Sequence, residues 1–262
     1  MLVLTLCVFA CHAEIVQVND MKEVYDTFSR ADSKTWIIFD VDMVLIQSSD
    51  PAFQMANMKR YGSIFKRIFQ EVPADKQMMF LSLMTISSEP VLIDDRTPHY
   101  IEEMIQKGVP VMALTANLTG PFATIQNMEQ WRVDSLRKLG IDFSKSAPCH
   151  MSLVFDDLPS YRGYYSTYLD GIFFANGTTV SKGEAFLSFL KKSGSFPNRV
   201  IFIDDREENL KSLEAAIQTL DTPVTYQGLH YLGAQNYPSK SITEEEFESK
   251  LQKLASEVKE LN

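Results

Sequence analysis

The sequence predicts an α/β protein: a parallel sheet with helices on both faces, and a small helical segment inserted after the first strand. Two observations carry this. Apolar runs of strand length, at residues 36–39, 109–114 and 199–203, alternate with segments whose apolar residues recur at helical spacing. Residues 46–96 then break the alternation and carry helical patterning alone. A chain of 262 residues holds one large α/β domain plus a small accessory one. Hydrophobic content of 45% and charged content of 23% are ordinary, so no disorder is expected.

Taken in order, residues 1–13 form an apolar N-terminal segment or signal peptide. Leu2 to Ala10 is apolar, and Cys11-His12-Ala13 places a small residue where a signal peptidase would cut. The run is far too short to span a bilayer, and no stable membrane span is expected. A secreted or periplasmic location follows from the signal reading. A lipidated Cys11, or a buried first strand in a cytoplasmic protein, are the alternatives. Cleavage after Ala13 removes Cys7 and Cys11 and leaves Cys149 alone, so no disulfide framework is implied.

The main domain spans residues 14–45 and 97–242. A short helix over 23–30 precedes the strand at 36–39, which runs into Asp40-Val41-Asp42. A helix over 98–107, stopped by Gly108, leads into the strand at 109–114, which ends in Thr115-Ala116-Asn117. A helix over 122–139 is stopped by Gly140, and 152–155 reads as a further strand. Asn176-Gly177, between apolar 172–174 and 178–180, reads as a hairpin turn rather than a glycosylation site. Asn117-Leu118-Thr119 matches the same sequon, but a glycan there would block the proposed site. Ser181-Lys182-Gly183-Glu184 opens a helix with apolar spacing over 185–190. The strand at 199–203 ends in Asp204-Asp205, a helix follows over 207–219, and 223–226 reads as an edge strand.

Residues 46–96 form the helical insertion. From Phe53 an apolar face recurs through Ala56, Met58, Tyr61, Ile64, Phe65, Ile68 and Phe69. Opposite it lie Lys59, Arg60, Lys66 and Arg67, a local charge of +3 within residues 51–71. That face is either a basic lid over an anionic substrate or a solvated surface. A second insertion over 156–170 carries Tyr161, Tyr164, Tyr165 and Tyr168 around Arg162, and is read as structural. Residues 243–262 form an amphipathic helix with a capping-box start at Thr243-Glu244-Glu245-Glu246. Phe247, Leu251, Leu254, Val258 and Leu261 follow at 4-3-4-3 spacing, which suits docking on the chain's own core or a homodimer contact.

The chemistry lies where the strands end. Ligands of open α/β sheets bind at the C-terminal edge of the strands. Two carboxylates as close as Asp40 and Asp42 are costly without a cation or a shared proton. The pair therefore favours Mg²⁺ with an anionic substrate, and leaves one carboxylate free to act as a nucleophile. The chain must bend here if both acids serve one site. Thr115 can hold a phosphoryl oxygen, Lys182 can balance phosphate and carboxylate charge, and Asp204-Asp205 can complete a divalent-metal site. Singly, each residue has a bland reading: a turn, a helix cap or a surface lysine.

In this order the four segments resemble the haloacid dehalogenase-like (HAD) superfamily in its aspartate-nucleophile phosphatase form. Asp40-Val41-Asp42-Met43-Val44 fits the DxDx(T/V) motif, with Met43 where many members carry Gly; Thr115, Lys182 and Asp204-Asp205 stand at the other three. The resemblance covers roughly residues 34–220. It implies a Rossmann-like core, a C1-type cap at 46–96 and Mg²⁺-dependent hydrolysis of a small phosphomonoester. It makes Asp40 the nucleophile and Asp42 the general acid and base. Mg²⁺ falls to Asp40, the backbone carbonyl of Asp42 and Asp205, with Asp204 in support. Phosphate binding falls to Thr115, the backbone near Ala116 and Asn117, and Lys182. The alternatives are an interaction protein of the same fold with little turnover, or transfer of phosphate to an acceptor other than water. A net charge of −9 without a basic stripe argues against nucleic acid as a partner, and the four histidines have no metal-ligand spacing.

Overall fold

Strands buried on both faces need apolar residues at every position, and the central strands have them. A computed structural model describes residues 14–261. The signal-peptide segment at 1–13 therefore lies outside the described residues. In chain order the elements begin with β1 (Glu14–Val18), α1 (Met21–Phe28) and β2 (Thr35–Phe39). The insertion holds β3 (Ile46–Ser48), α2 (Met55–Arg60), α3 (Gly62–Glu71), α4 (Gln77–Ile86) and β4 (Pro90–Leu92). Next come α5 (Thr97–Gln106), β5 (Val111–Thr115), α6 (Met128–Lys138), β6 (Leu153–Phe155), β7 (Ser166–Leu169) and β8 (Ile172–Phe174). The chain closes with α7 (Lys182–Ser193), β9 (Arg199–Asp204), α8 (Glu207–Ile217), β10 (Thr225–Tyr231) and α9 (Glu244–Glu260).

The main sheet runs β1-β10-β9-β2-β5-β8-β7-β6. It is parallel from β1 to β8, and β7 pairs antiparallel with both of its neighbours. Alternate strand residues feed two cores. Ile37, Phe39, Val111, Ala113, Ile201 and Ile203 pack with α1, α5 and α6 on one face. Trp36, Ile38, Met112, Leu114, Val200 and Phe202 pack with α7 and α8 on the other. This is the expected α/β architecture, helices on both faces of a mostly parallel sheet.

Three expectations are corrected. The strand near 223–226 is β10, which lies between β1 and β9, so among the described residues that edge belongs to β1. The hairpin is β7–β8, turning at Asp170-Gly171, where both residues have positive φ (49° and 83°). A side chain at Gly171 would meet Phe143, its Cβ only 2.6 Å from that of Phe143. Asn176-Gly177 instead forms a turn whose buried Asn176 side chain donates to the carbonyls of Tyr161 and Tyr164 and accepts from Thr119 N–H. The third correction is α6, which starts at Met128 rather than 122. Phe122 and Ile125 exchange backbone hydrogen bonds in a tight turn, and the Asn127 side chain caps the helix at Gln130 N–H.

The insertion leaves and rejoins the core through the antiparallel pair β3–β4. Its helices do not close their own core. Ile64, Ile68 and Phe80 pack with Phe247, Leu251, Leu254 and Val258 of α9, and with Leu118 and Phe122 after β5. The apolar face of α9 is thus covered within the chain and is not free for a second copy. Polar contacts tie the same parts together: Tyr61 donates to the Ile242 carbonyl, Lys76 to the Lys259 and Leu261 carbonyls, and Arg67 pairs with Glu248. Among the described residues no helix is long and apolar enough to cross a membrane.

Candidate active site

Strands β9, β2 and β5 are neighbours, and all three deliver their chemistry at the same C-terminal edge. Register sets the level. Phe39 pairs with Ile203, so Asp40 and Asp204 follow side by side, and Asp40 N–H donates to the Ile203 carbonyl at 2.8 Å. The sheet reverses its direction of growth at β2, the crevice where open α/β sheets bind ligands.

Asp40, Asp204 and Asp205 converge, with one oxygen from each lying within 4.8 Å of the others. Asp204 is fully buried and Asp40 nearly so. Lys182, buried at the first turn of α7, holds Asp40 Oδ1 at 2.7 Å, lies 3.9 Å from Asp204, and also donates to the Leu114 carbonyl. Asp204 further accepts from Arg206 N–H and the Asn209 amide. The α7 N-terminus is fixed by a Ser181–Glu184 capping box, which sets where Lys182 enters the core.

Burial is the largest cause of the raised pKa of all three acids. It pushes up Asp40, opposed by Lys182, and lifts Asp204 to about 7 with help from the Asp40 charge. Asp205 is raised by burial and then by its two acidic neighbours. Three carboxylates facing one ammonium group leave an excess of negative charge in a poorly solvated place. Hard oxygen donors in that arrangement fit a divalent cation such as Mg²⁺.

Asp42 does not join the trio. The chain bends immediately after Asp40, with Leu45 and Ile46 N–H both donating to the Val41 carbonyl and Met43 at φ +65°. Met43 thus occupies a left-handed conformation at the position where the motif commonly has Gly. The bend aims Asp42 at a second group. Its Oδ2 accepts from Asn117 Nδ2 at 2.7 Å, and its Oδ1 from Arg132 at 3.0 Å. Arg132 Nε closes the ring by donating to Asn117 Oδ1 at 2.7 Å.

Thr115 is buried at the end of β5, and its hydroxyl oxygen accepts from Asn117 N–H. The carbonyl of Ala116 accepts from Gly177 N–H, so this loop is anchored where phosphate binding was expected. The amide of Asn117 is engaged with Asp42 and Arg132, and Asn176 is buried; neither side chain is open to a glycan.

A cleft of about 230 Å³ rises from Asp42, Thr115, Asn117 and Asp205 to the insertion above. None of Lys59, Arg60, Lys66 or Arg67 lines it. These four are exposed, Lys59 bonding to Gln235 and Arg67 to Glu248. Of the two readings of that face, the solvated surface holds: apolar side chains of the insertion, not its basic ones, line the cleft. In the second insertion Tyr161 donates to the Asp75 carbonyl and Tyr168 to that of Cys149, while Arg162 lies against Phe122 and Tyr164. That segment has a structural role.

The family model described as "Protein of unknown function (DUF2608)" matches residues 17–262. A Rickettsia felis protein named "Uncharacterized protein" is 25% identical over 229 residues, covering 84% of this chain and 77% of its own length. Rickettsia conorii "Uncharacterized protein RC0398" is 23% identical over 240 residues, 88% and 81% of the two chains. A Chlamydia trachomatis protein named "Putative outer membrane protein" is 22% identical over 226 residues, 86% and 79% of the two. No solved structure matches. The match to DUF2608 overturns the assignment to the HAD superfamily. Short motifs at strand ends describe a way of holding a cation beside an anion, and such a site does not define a family.

Proposed function

This chain belongs to the DUF2608 family, and we propose that it is a Mg²⁺-dependent phosphatase that hydrolyses a small phosphomonoester through an aspartyl-phosphate on Asp40. One observation carries the reading: Asp40, Asp204 and Asp205 meet within 4.8 Å around Lys182, with Asp42 held beside them by a separate pair of partners.

Asp40, Asp204 and Asp205 would hold Mg²⁺, whose charge offsets the repulsion between a carboxylate and the phosphoryl oxygens. Lys182 fixes one oxygen of Asp40, leaving the other to attack phosphorus in line. The Asp40–phosphorus bond forms as the ester bond breaks. Asp42 gives the leaving alkoxide its proton, then takes one from the water that attacks the aspartyl-phosphate. Inorganic phosphate leaves, and both carboxylates return to their starting states. Thr115 and the loop at Ala116 steady the remaining phosphoryl oxygens. Arg132 and Asn117 keep Asp42 turned toward the ester rather than toward the metal ligands.

Phosphate release from a panel of phosphomonoesters tests this, with Mg²⁺ or EDTA, for the wild type and Asp40→Asn. Release that needs Mg²⁺ and is lost in the folded variant is expected. Undiminished release by Asp40→Asn removes the nucleophile. No release from any ester by folded wild type removes the phosphatase. We also place the protein outside the cytoplasm, on the apolar segment before Ala13 and the name of the Chlamydia trachomatis relative. N-terminal sequencing of the same preparation, made in a cell competent for export, should begin at Glu14; a chain beginning at Met1 contradicts export with cleavage.

A further inference from the structure

Above the acids the cleft has an unusual wall. Met43, Met58, Met78, Leu81, Met84 and Phe53 line it, a soft apolar surface that adapts to irregular shapes. The polar groups among them are mostly engaged. Ser82 donates to the Met78 carbonyl, Thr85 to the Leu81 carbonyl, and Ser48 shares a hydrogen bond with Ser88. Arg132 is committed to Asp42 and Asn117, and the guanidinium of Arg206 to Glu208. Gln47 differs. It is 3% exposed and lines the cleft; its Oε1 accepts from Met55 N–H, while its Nε2 is buried without a partner. An unpaired buried donor is costly in a native fold, and this one reaches a ligand only if the amide turns into the cleft that its residue lines.

We propose that the substrate is a phosphomonoester whose leaving group is apolar and carries one hydrogen-bond acceptor, which draws the unpaired amide N–H of Gln47 into the cleft. The proposal rests on the phosphatase reading for its chemistry and on the cleft for its selectivity. A sugar or other polyhydroxylated leaving group would lose its water against this mostly apolar wall and recover only part of its hydrogen bonding, so the cleft discriminates against it. A hydrocarbon chain gains with every methylene it buries.

The test measures kcat/KM for phosphate release, with Mg²⁺, from methyl through hexyl phosphate, from a hexyl phosphate bearing one keto oxygen, and from a hexose phosphate. The expected result is a rise of roughly fourfold per methylene until the cleft is full, carried by KM, with the hexose phosphate lowest. Gln47→Leu should improve plain hexyl phosphate and lower the preference for the keto analogue about tenfold. Leu81→Gln and Met78→Gln, both at half-buried positions, should flatten the chain-length series. Turnover that ignores chain length, or that favours the hexose phosphate, overturns the proposal and leaves the phosphatase standing. If no ester is hydrolysed, calorimetric titration with the matching alkylphosphonates separates the two readings. Affinity that climbs with chain length supports the apolar cleft alone, and affinity that does not removes the cleft as well.

Discussion

Arg132 stands where the helix period assigns a core residue. Met128, Arg132 and Leu136 repeat every four residues along the buried stripe of α6, and a guanidinium amid that stripe needs partners. It finds them in Asp42 and Asn117, and its guanidinium also lies 4.9 Å from the centre of the Trp131 ring. That spacing was the available signal for a residue the sequence reading overlooked. Asp40, Thr115, Lys182 and Asp204-Asp205 were legible because each follows or opens an element that pattern alone can place. The partners of Asp42 lie 75 and 90 residues away along the chain, a separation no local pattern reports. Arg132→Lys keeps the charge but cannot bridge both partners. It should lower kcat about 10- to 100-fold, up to the lower end of the roughly 10²- to 10⁴-fold ascribed to general acid–base catalysis, since Asp42 itself is kept. The loss should be largest for esters with poor leaving groups, and Mg²⁺ affinity should be unchanged. An equal loss for good and poor leaving groups would assign Arg132 to folding alone.

At the scale of elements, buried strands were legible because they are apolar at every position, and a capping box announced α9. The hairpin was misplaced because Asn-Gly and Asp-Gly send the same local signal, and the choice between them depends on which flanking strand finds a partner. The apolar spacing of α9 was plain, but its target was not. It docks on α3 and α4, elements that precede it by more than 150 residues. Leu251 is fully buried in that contact. Leu251→Ala should destabilise the protein by about 3 kcal/mol, the usual cost of such a cavity. Denaturant unfolding measures it, and a loss below about 1 kcal/mol would show that α9 is loosely held.

At the scale of the molecule, the acid cluster couples metal, pH and stability. The folded-state pKa of Asp204 is about 7, well above its ordinary value, and Asp40 and Asp205 shift the same way. Between roughly pH 4 and pH 7 the folded state therefore binds more protons than the unfolded one, so stability falls as pH rises through this window. In EDTA the melting temperature should drop by several degrees from pH 5 to pH 8, at about 2–4 °C per kcal/mol. Mg²⁺ at a hundred times its Kd should restore about 2.7 kcal/mol at the alkaline end. Asp204→Asn should flatten the pH dependence without metal. An unchanged slope in that variant would remove the cluster as its source.

The clamping of the insertion by α9 also has a bearing on the order in which the protein is assembled. Ribosomes release residues 46–96 long before 243–261, and until α9 arrives the insertion lacks one wall of its core. A nascent chain can form its sheet and gather its acids while the roof over them is still unfinished. Translation thus imposes an order: the cleft is supported only once residues 243–261 have emerged, and a chain cut before residue 243 keeps the acids but loses the support for what covers them.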